Sequence, residues 1–355
     1  MIGTERRGFG LGLASALVFS TTAIFIRYLT ETYSIPPLVL ALWRDVLLVV
    51  PLAAFFAIAR PRLLRAGREH LGYLALYGLL LAVYNGSWTF SVALNGAAVA
   101  TVLVYCSGAF AVLLGWLLLG ERVSWAKVAA VLMTVCGCAL IAGVVAEPVA
   151  VGNGAVGSGA AVNLSGVRVV GAVVGTFAGL CYAGYSLMGR AAARRGLDPW
   201  TTLLYTFGFA SLWLLAANML PQLGLPGAAA RPGDLLWLGR SAAGWLALLG
   251  LAVGPTLFGY GLYNMTLAHL PSSIANLIVT LEPGFTAVIA YWLLGERLGR
   301  MQVAGAVVTL GGVVLLRIYE GRAAARAGSA GAARLDTREA AATSAPASAA
   351  ASGQS

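Results

Sequence analysis

Charge is what this chain has least of. Only 10% of its 355 residues are charged, against 59% hydrophobic. A soluble domain cannot cover its surface with so little charge, so a water-exposed exterior over most of the molecule is excluded. Histidine and cysteine are equally scarce, at two and four residues. Cys106, Cys136, Cys138 and Cys181 all fall inside long apolar runs, where they read as packing residues rather than as a disulfide framework or a zinc centre. The chain contains no Walker-type phosphate loop, HExxH or GxSxG, and His70 and His269 lie near the ends of apolar runs. These absences argue against a built-in ATPase and against an intramembrane enzyme. No catalytic residue, metal or cofactor is expected.

The residues present form apolar runs, each near the roughly 20 residues that cross about 30 Å of hydrocarbon as a helix. Ten are expected, at 8–29, 36–59, 71–93, 97–119, 124–145, 167–190, 198–220, 242–268, 272–294 and 300–318. Barrel strands would be shorter and would alternate with polar residues, whereas these runs are apolar throughout. The expected fold class is an all-α polytopic membrane protein. The net charge of +10 is spread over helix ends and the C-terminal tail. It therefore reports topology, and no nucleic-acid partner is expected. Most arginines fall on the side of the N-terminus, with Arg27, Arg168, Arg231, Arg240, Arg297 and Arg300 opposite and Arg44 inside a span. Both termini are then cytoplasmic in a cytoplasmic-membrane protein. The N-terminal TERRGFGLGL has the basic flank of an uncleaved first helix, without a convincing cleavage site before the second span.

The five residues LLGER occur at 118–122 and again at 293–297. Extending that match backward aligns LNGAAVATVLVYCSGAFAVLLGWLLLGER with HLPSSIANLIVTLEPGFTAVIAYWLLGER without a gap. Arg27 and Pro36 share their spacing with Arg190 and Pro199. Each half then holds five spans, and an odd number makes the second half enter the membrane from the opposite side. The expectation is two inverted five-helix repeats, at 1–145 and 167–318. A flexible linker at 146–166 joins them, and a disordered cytoplasmic tail follows at 319–355, an alanine-rich helix being the lesser alternative. Inverted repeats recur in secondary transporters that alternate access to a midplane site.

With LLLGER followed by VAAVLMTVCGCALI, LEPGFTAVIAYWLLGER followed by VAGAVVTLGGVVLL, and LWRD in the second span, the chain resembles the EamA-type drug/metabolite transporters. The resemblance covers residues 8 to about 318. It implies a ten-helix carrier that exports small metabolites or amphiphilic compounds, with the solute and the bilayer as partners. An importer, an intramembrane enzyme and a regulatory membrane protein are the competing readings. The chain departs from the family pattern at Phe19-Ser20, where members often carry Trp-Gly, and at Gly108, where proline is common.

Helical periodicity divides the ninth span into a lipid face (Ile274, Leu277, Ile278, Leu281, Phe285, Val288, Trp292) and an inward face (Ser272, Asn276, Thr280, Glu282, Pro283, Thr286). The fourth span divides likewise. Val99, Val102, Leu103, Cys106, Phe110, Leu113 and Leu117 oppose Thr101, Tyr105, Ser107, Gly108 and Gly115. Glu282 and Ser107 are equivalent positions near mid-bilayer. A charge at that depth costs about 2.5–3.5 kcal/mol even on permissive scales, so a partner or a wet cavity is expected there. Glu282 is the strongest candidate for solute binding or proton coupling. Coupling needs the cost of burial and the pull of a nearby cation to be nearly balanced. The alternative is a permanent buried pair of Glu282 with Arg44, and Asp45 competes for that arginine.

Tyr105 and Asn276 are the preferred cavity contacts. Tyr84, Asn85, Trp88, Tyr182, Tyr185, Tyr260, Tyr263 and Asn264 supply further polar and aromatic groups. Pro283 is expected to open a kink at the cavity wall, and Gly254-Pro255 a hinge or a packing site. The pairs Glu121-Arg122 and Glu296-Arg297 read as structural caps at the ends of matched helices, each charge finding a partner in a neighbouring loop.

Overall fold

The computed structural model describes residues 2–120, 124–141, 158–220, 224–267, 269–270 and 272–343, and among these it is helical without a strand. The helices are α1 (Ile2–Thr32), α2 (Pro37–Ala59), α3 (Arg68–Asn95), α4 (Ala97–Val104), α5 (Ser107–Leu119), α6 (Trp125–Ile141) and α7 (Ser158–Arg194). They continue with α8 (Pro199–Met219), α9 (Ala242–Leu251), α10 (Gly259–Leu267), α11 (Ser272–Val279), α12 (Glu282–Ile289) and α13 (Arg300–Thr343). Each expected span is occupied by helix. Among the described residues, eight segments are long and apolar enough to cross a membrane. Beside them stand α6, an apolar helix of 17 residues, and α3, which has 28 residues but turns Asn85, Thr89 and Ser91 to the interior. The molecule is an all-α polytopic membrane protein.

Local sequence sets the boundaries. Proline opens α2 and α8, where a missing amide costs nothing, and Asp198 Oδ1 caps α8 by accepting from Trp200 N and Thr201 N at 2.8 and 3.1 Å. Gly120 and Gly295 end their helices in the left-handed conformation, with φ of 64° and 66°. This accounts for the glycine of the repeated LLGER. Glu121 and Arg122 lie outside the described residues.

Three expected spans are interrupted. Between α4 and α5 the chain turns at Tyr105 and Cys106, and between α11 and α12 it turns at Thr280 and Leu281, the same places in the aligned repeats. Pro283 explains the second break, since it has no amide to give to Val279. The first break occurs with Gly108, and no proline, at the position that Pro283 holds in the other repeat. There Gly179 of α7 presses close, and a Cβ on it would stand 3.2–3.3 Å from the carbonyls of Val104 and Leu103 and from Ser107 N. The third interruption, between α9 and α10, is a π-helical stretch, Ala252–Phe258, that accommodates Pro255.

The connections alternate between two ends of the bundle. The first end carries α1–α2, α3–α4, α8–α9 and α12–α13, and the second carries α2–α3, α5–α6, α7–α8 and α10–α11. Across the two halves of the chain, α3 packs on α7 and α8, while α1 packs on α9 and α10; α2 meets α8, α4 meets α12, and α6 lies along α13. Large apolar side chains such as Ile58, Leu117, Trp125 and Trp292 point outward, as a lipid-facing surface requires.

Two expectations are amended. The residues of α4 assigned to lipid, Val99, Val102 and Leu103, are buried against α6 and α7, because α4 is enclosed on all sides. In the ninth span Leu281, Val288 and Trp292 do face outward, whereas Ile278 packs inward. The segment after residue 318, expected to be disordered, continues α13 as helix to Thr343, in keeping with the helix propensity of its alanines. Cys106 and Cys138 are buried with their Sγ atoms 2.7 Å apart, and Cys136 is exposed.

The α6–α13 contact depends on missing side chains. A Cβ at Gly137 would run into Thr309 Oγ1 and stand 2.7 Å from Gly305 O, and one at Gly305 would stand 2.6 Å from Gly137 O. Backbones this close are how apolar helices gain van der Waals energy in lipid. Gly137→Leu is expected to cost at least about 1–3 kcal/mol through overpacking. It should lower the melting temperature of the detergent-solubilised protein, while Gly72→Ala, at a position with nothing within 4 Å of an added Cβ, leaves it unchanged.

Candidate functional site

Charged and polar side chains from several helices meet in the middle of the bundle. On α2, Asp45 is fully buried, and both its oxygens accept from Asn85 Nδ2 at 3.0 and 2.9 Å. Arg44 Nε lies 3.5 Å from the same carboxylate, and the guanidinium sits 5.7 Å from the centre of the Trp88 ring. Arg44 is thus held between Asp45 of α2 and Trp88 of α3. The permanent Glu282–Arg44 pair does not form; Asp45 is the carboxylate that pairs with this arginine.

Glu282 is the first residue of α12. Its Oε2 accepts from the Tyr105 hydroxyl at 2.9 Å, and that hydroxyl is also 2.9 Å from the carbonyl oxygen of Val279. Val279 is four residues before Pro283, so its carbonyl is the one that the proline leaves without an amide. A phenol has one hydrogen to give. Tyr105 therefore serves either the carboxylate or the freed carbonyl, and joins the break in one half to the break in the other. Close by, Tyr263 donates to Asn276 Oδ1 at 2.8 Å. Thr286 Oγ1 covers the Glu282 carbonyl at 3.0 Å and reaches Ser20 O at 3.3 Å.

These groups border a cavity of about 250 Å³. Of the expected site residues, Glu282, Tyr105, Ser107, Asn276 and Arg44 line it, while Asp45 stands behind Arg44. Tyr84, Asn85, Trp88, Tyr182, Tyr185 and Tyr263 line it as well. The side chains of Tyr260 and Asn264 lie outside the described ones. Along α3 and α7 the rings form a continuous row: Trp88 stacks on Tyr84, whose ring is 5.0 Å from Tyr182, and Tyr182 stacks in turn on Tyr185. Phe19 of the departing Phe-Ser pair is part of the wall.

Arg317 also lines the cavity, within electrostatic reach of Tyr105, Tyr182 and Tyr263. Counting cations by position assigned it to the cytoplasmic side. The signal that marks it is periodicity: Thr309, Val313 and Arg317 recur every four residues, and the first two are buried. The cavity therefore holds one carboxylate, Glu282, and two guanidinium groups, those of Arg44 and Arg317.

Removing one partner of a buried pair strands the other. Asp45→Ala is expected to cost about 3–5 kcal/mol, because Arg44 loses its only described carboxylate partner inside the bundle. Asp45→Asn, which keeps an acceptor for Asn85, should recover part of that loss in a thermal-stability measurement.

The sequence profile of the EamA-like transporter family matches this chain twice, at residues 6–143 and 169–318. An uncharacterised transporter of Archaeoglobus fulgidus is 25% identical over 311 residues, spanning 87% of this chain and 96% of that protein. The threonine/homoserine exporter RhtA of Salmonella typhimurium is 33% identical over 145 residues, 40% of this chain and 43% of the exporter. A solved crystal structure aligns with a TM-score of 0.53 at 18% identity, covering 87% of this chain and 94% of that one, a likeness of fold. The chain belongs to the EamA-like transporter family, within the drug/metabolite transporter superfamily.

Proposed function

We propose that this transporter exports a small amphiphilic or zwitterionic metabolite across the cytoplasmic membrane by alternating access, with Glu282 as the group that solute and proton compete for. The observation that carries this reading is the position of the Glu282 carboxylate, on a cavity at the meeting of two interrupted helices. Interrupted helices at the middle of a membrane are tolerated where they line a site, and their free backbone groups make them suited to binding. The mirrored packing of the two halves supports treating them as inverted repeats that exchange roles. Basic residues concentrated on one side support cytoplasmic termini.

The solute class follows from the charges. A cationic group of the solute would sit at Glu282 among the rings of Tyr105 and Tyr182, which favour cations over their faces. An anionic group would sit at Arg317, whose side chain lines the same cavity as Glu282. The printed name of the Salmonella relative, a threonine/homoserine exporter, favours an amino-acid-like solute of this bipolar kind. Net movement then needs only that the loaded cavity opens on either side in turn, with a proton replacing the solute on Glu282 during the return.

Metabolite profiling of medium and cytoplasm tests the reading in cells carrying wild type, Glu282→Gln or empty vector at equal membrane levels. A compound enriched outside only with the wild type is expected, and its export should depend on external pH. Equal enrichment with Glu282→Gln would remove the carboxylate from the mechanism. For the compound so identified, Arg317→Gln is expected to raise KM by about 10–100-fold, the loss of a hydrogen bond to a charged group worth about 1.5–3 kcal/mol. An analogue without the anionic group should be much less affected.

A further inference from the structure

We infer that Glu296 is a gating residue, which holds the cavity shut at the first end of the bundle by tying the second half of the chain to two helices of the first. The inference rests on the alternating-access reading for its consequence and on separate geometry for its support.

Gly295 stops the helix in the left-handed conformation and turns the next residue back toward α4. The Glu296 carboxylate then accepts from Ala97 N at 2.9 Å and Ala98 N at 3.3 Å, the free amides at the start of α4. The same carboxylate lies 3.4 Å from Arg27 Nε of α1. Arg27 in turn donates to Ala93 O at 2.6 Å, covering the carbonyl end of α3, and pairs with Glu31 at 2.5 Å. Gly96 allows this approach. Its φ is 87°, and a Cβ there would stand 2.7 Å from Glu296 Oε1. Carboxylate to α4 start and guanidinium to α3 end match the helix dipoles on both sides of one tight turn.

Beneath this network lies the largest apolar cluster, which includes Ile26, Leu29, Val92, Ala97, Ala98 and Ala290. The cavity wall on α1 includes Thr22 and on α4 includes Thr101, each about one turn deeper than Arg27 and Ala97. None of Arg27, Glu31 and Glu296 lines it. The loop between α8 and α9 adds a second cover at this end, through Trp43 Nε1 to Leu235 O at 2.6 Å and Trp237 Nε1 to Tyr33 O at 2.8 Å. Opening at the first end has to separate Glu296 from α4 and α1, since those contacts cross between the halves. Their strength sets how often that end opens.

The test needs no substrate. Thr22→Cys is placed in the full-length chain, and a membrane-impermeant maleimide is applied to right-side-out and to inside-out vesicles. Mass spectrometry of the peptide containing position 22 reads its labelling apart from the native cysteines. With Glu296 intact, labelling is expected to be slow from the face of Glu296. Glu296→Gln should speed labelling from that face by about tenfold, as expected for a lost charge-assisted contact. Glu296→Asp keeps the charge but is too short for both amides, and it should show an intermediate increase. Equal labelling from both faces before any change at Glu296, or unchanged rates in both variants, would overturn the gate. If no compound is exported while the labelling responds, the export reading falls and the gate stands; the opposite pattern removes only the gate.

Discussion

The carbonyl of Val279 has no amide four residues on, because Pro283 stands there, and much of the cavity's arrangement answers to that vacancy. A bare carbonyl in an apolar interior is costly, so something must supply a hydrogen. Tyr105 does so from the opposite half of the chain, at 2.9 Å. Tyr105 stands in the break between α4 and α5, and its bond brings the two interruptions face to face. Glu282 then necessarily shares the phenol, since it begins the helix that the proline opens.

Much of this was legible in the sequence. The gapless repeat gave Glu282 and Ser107 the same position, and helical periodicity put Tyr105 and Asn276 on the inward faces. All four line the cavity. Periodicity misled on α4, where Val99 and Leu103 look lipid-facing because apolar side chains suit a protein core as well as they suit lipid. Composition alone cannot separate those environments. Arg317 was hidden for a related reason: an arginine near the end of an apolar run usually snorkels to the interface, and only its four-residue spacing from Val313 turns it inward. The choice between Asp45 and Glu282 as the partner of Arg44 depended on a side-chain direction that spacing leaves open.

Glycine has a similar double role. At Gly137 and Gly305 it brings two backbones together, and at Gly179 it lets α7 press against the break between α4 and α5. At Gly295 it serves as a conformational stop with positive φ. The LLGER at 293–297 therefore carries a turn and a carboxylate as one unit, in which Gly295 aims the charge of Glu296.

Asp45, Glu282 and Glu296 divide the electrostatic work among them. Glu296 spends both oxygens on helix amides and stands beside Arg27, so it belongs to the framework of one end. Asp45 spends both on Asn85, with Arg44 beside it and no face on the cavity, so a proton or solute has no route to it without breaking that cluster. Glu282 faces the cavity and has one described side-chain donor, a phenol that can turn to Val279 instead. Of the three, Glu282 is the one whose described donor can turn to another acceptor, Val279 O, while a solute or proton takes its place at the carboxylate. The coupling role proposed for Glu282 needs that exchange: its occupied and empty states must both be satisfied, or the proposed cycle would stop in whichever state was not.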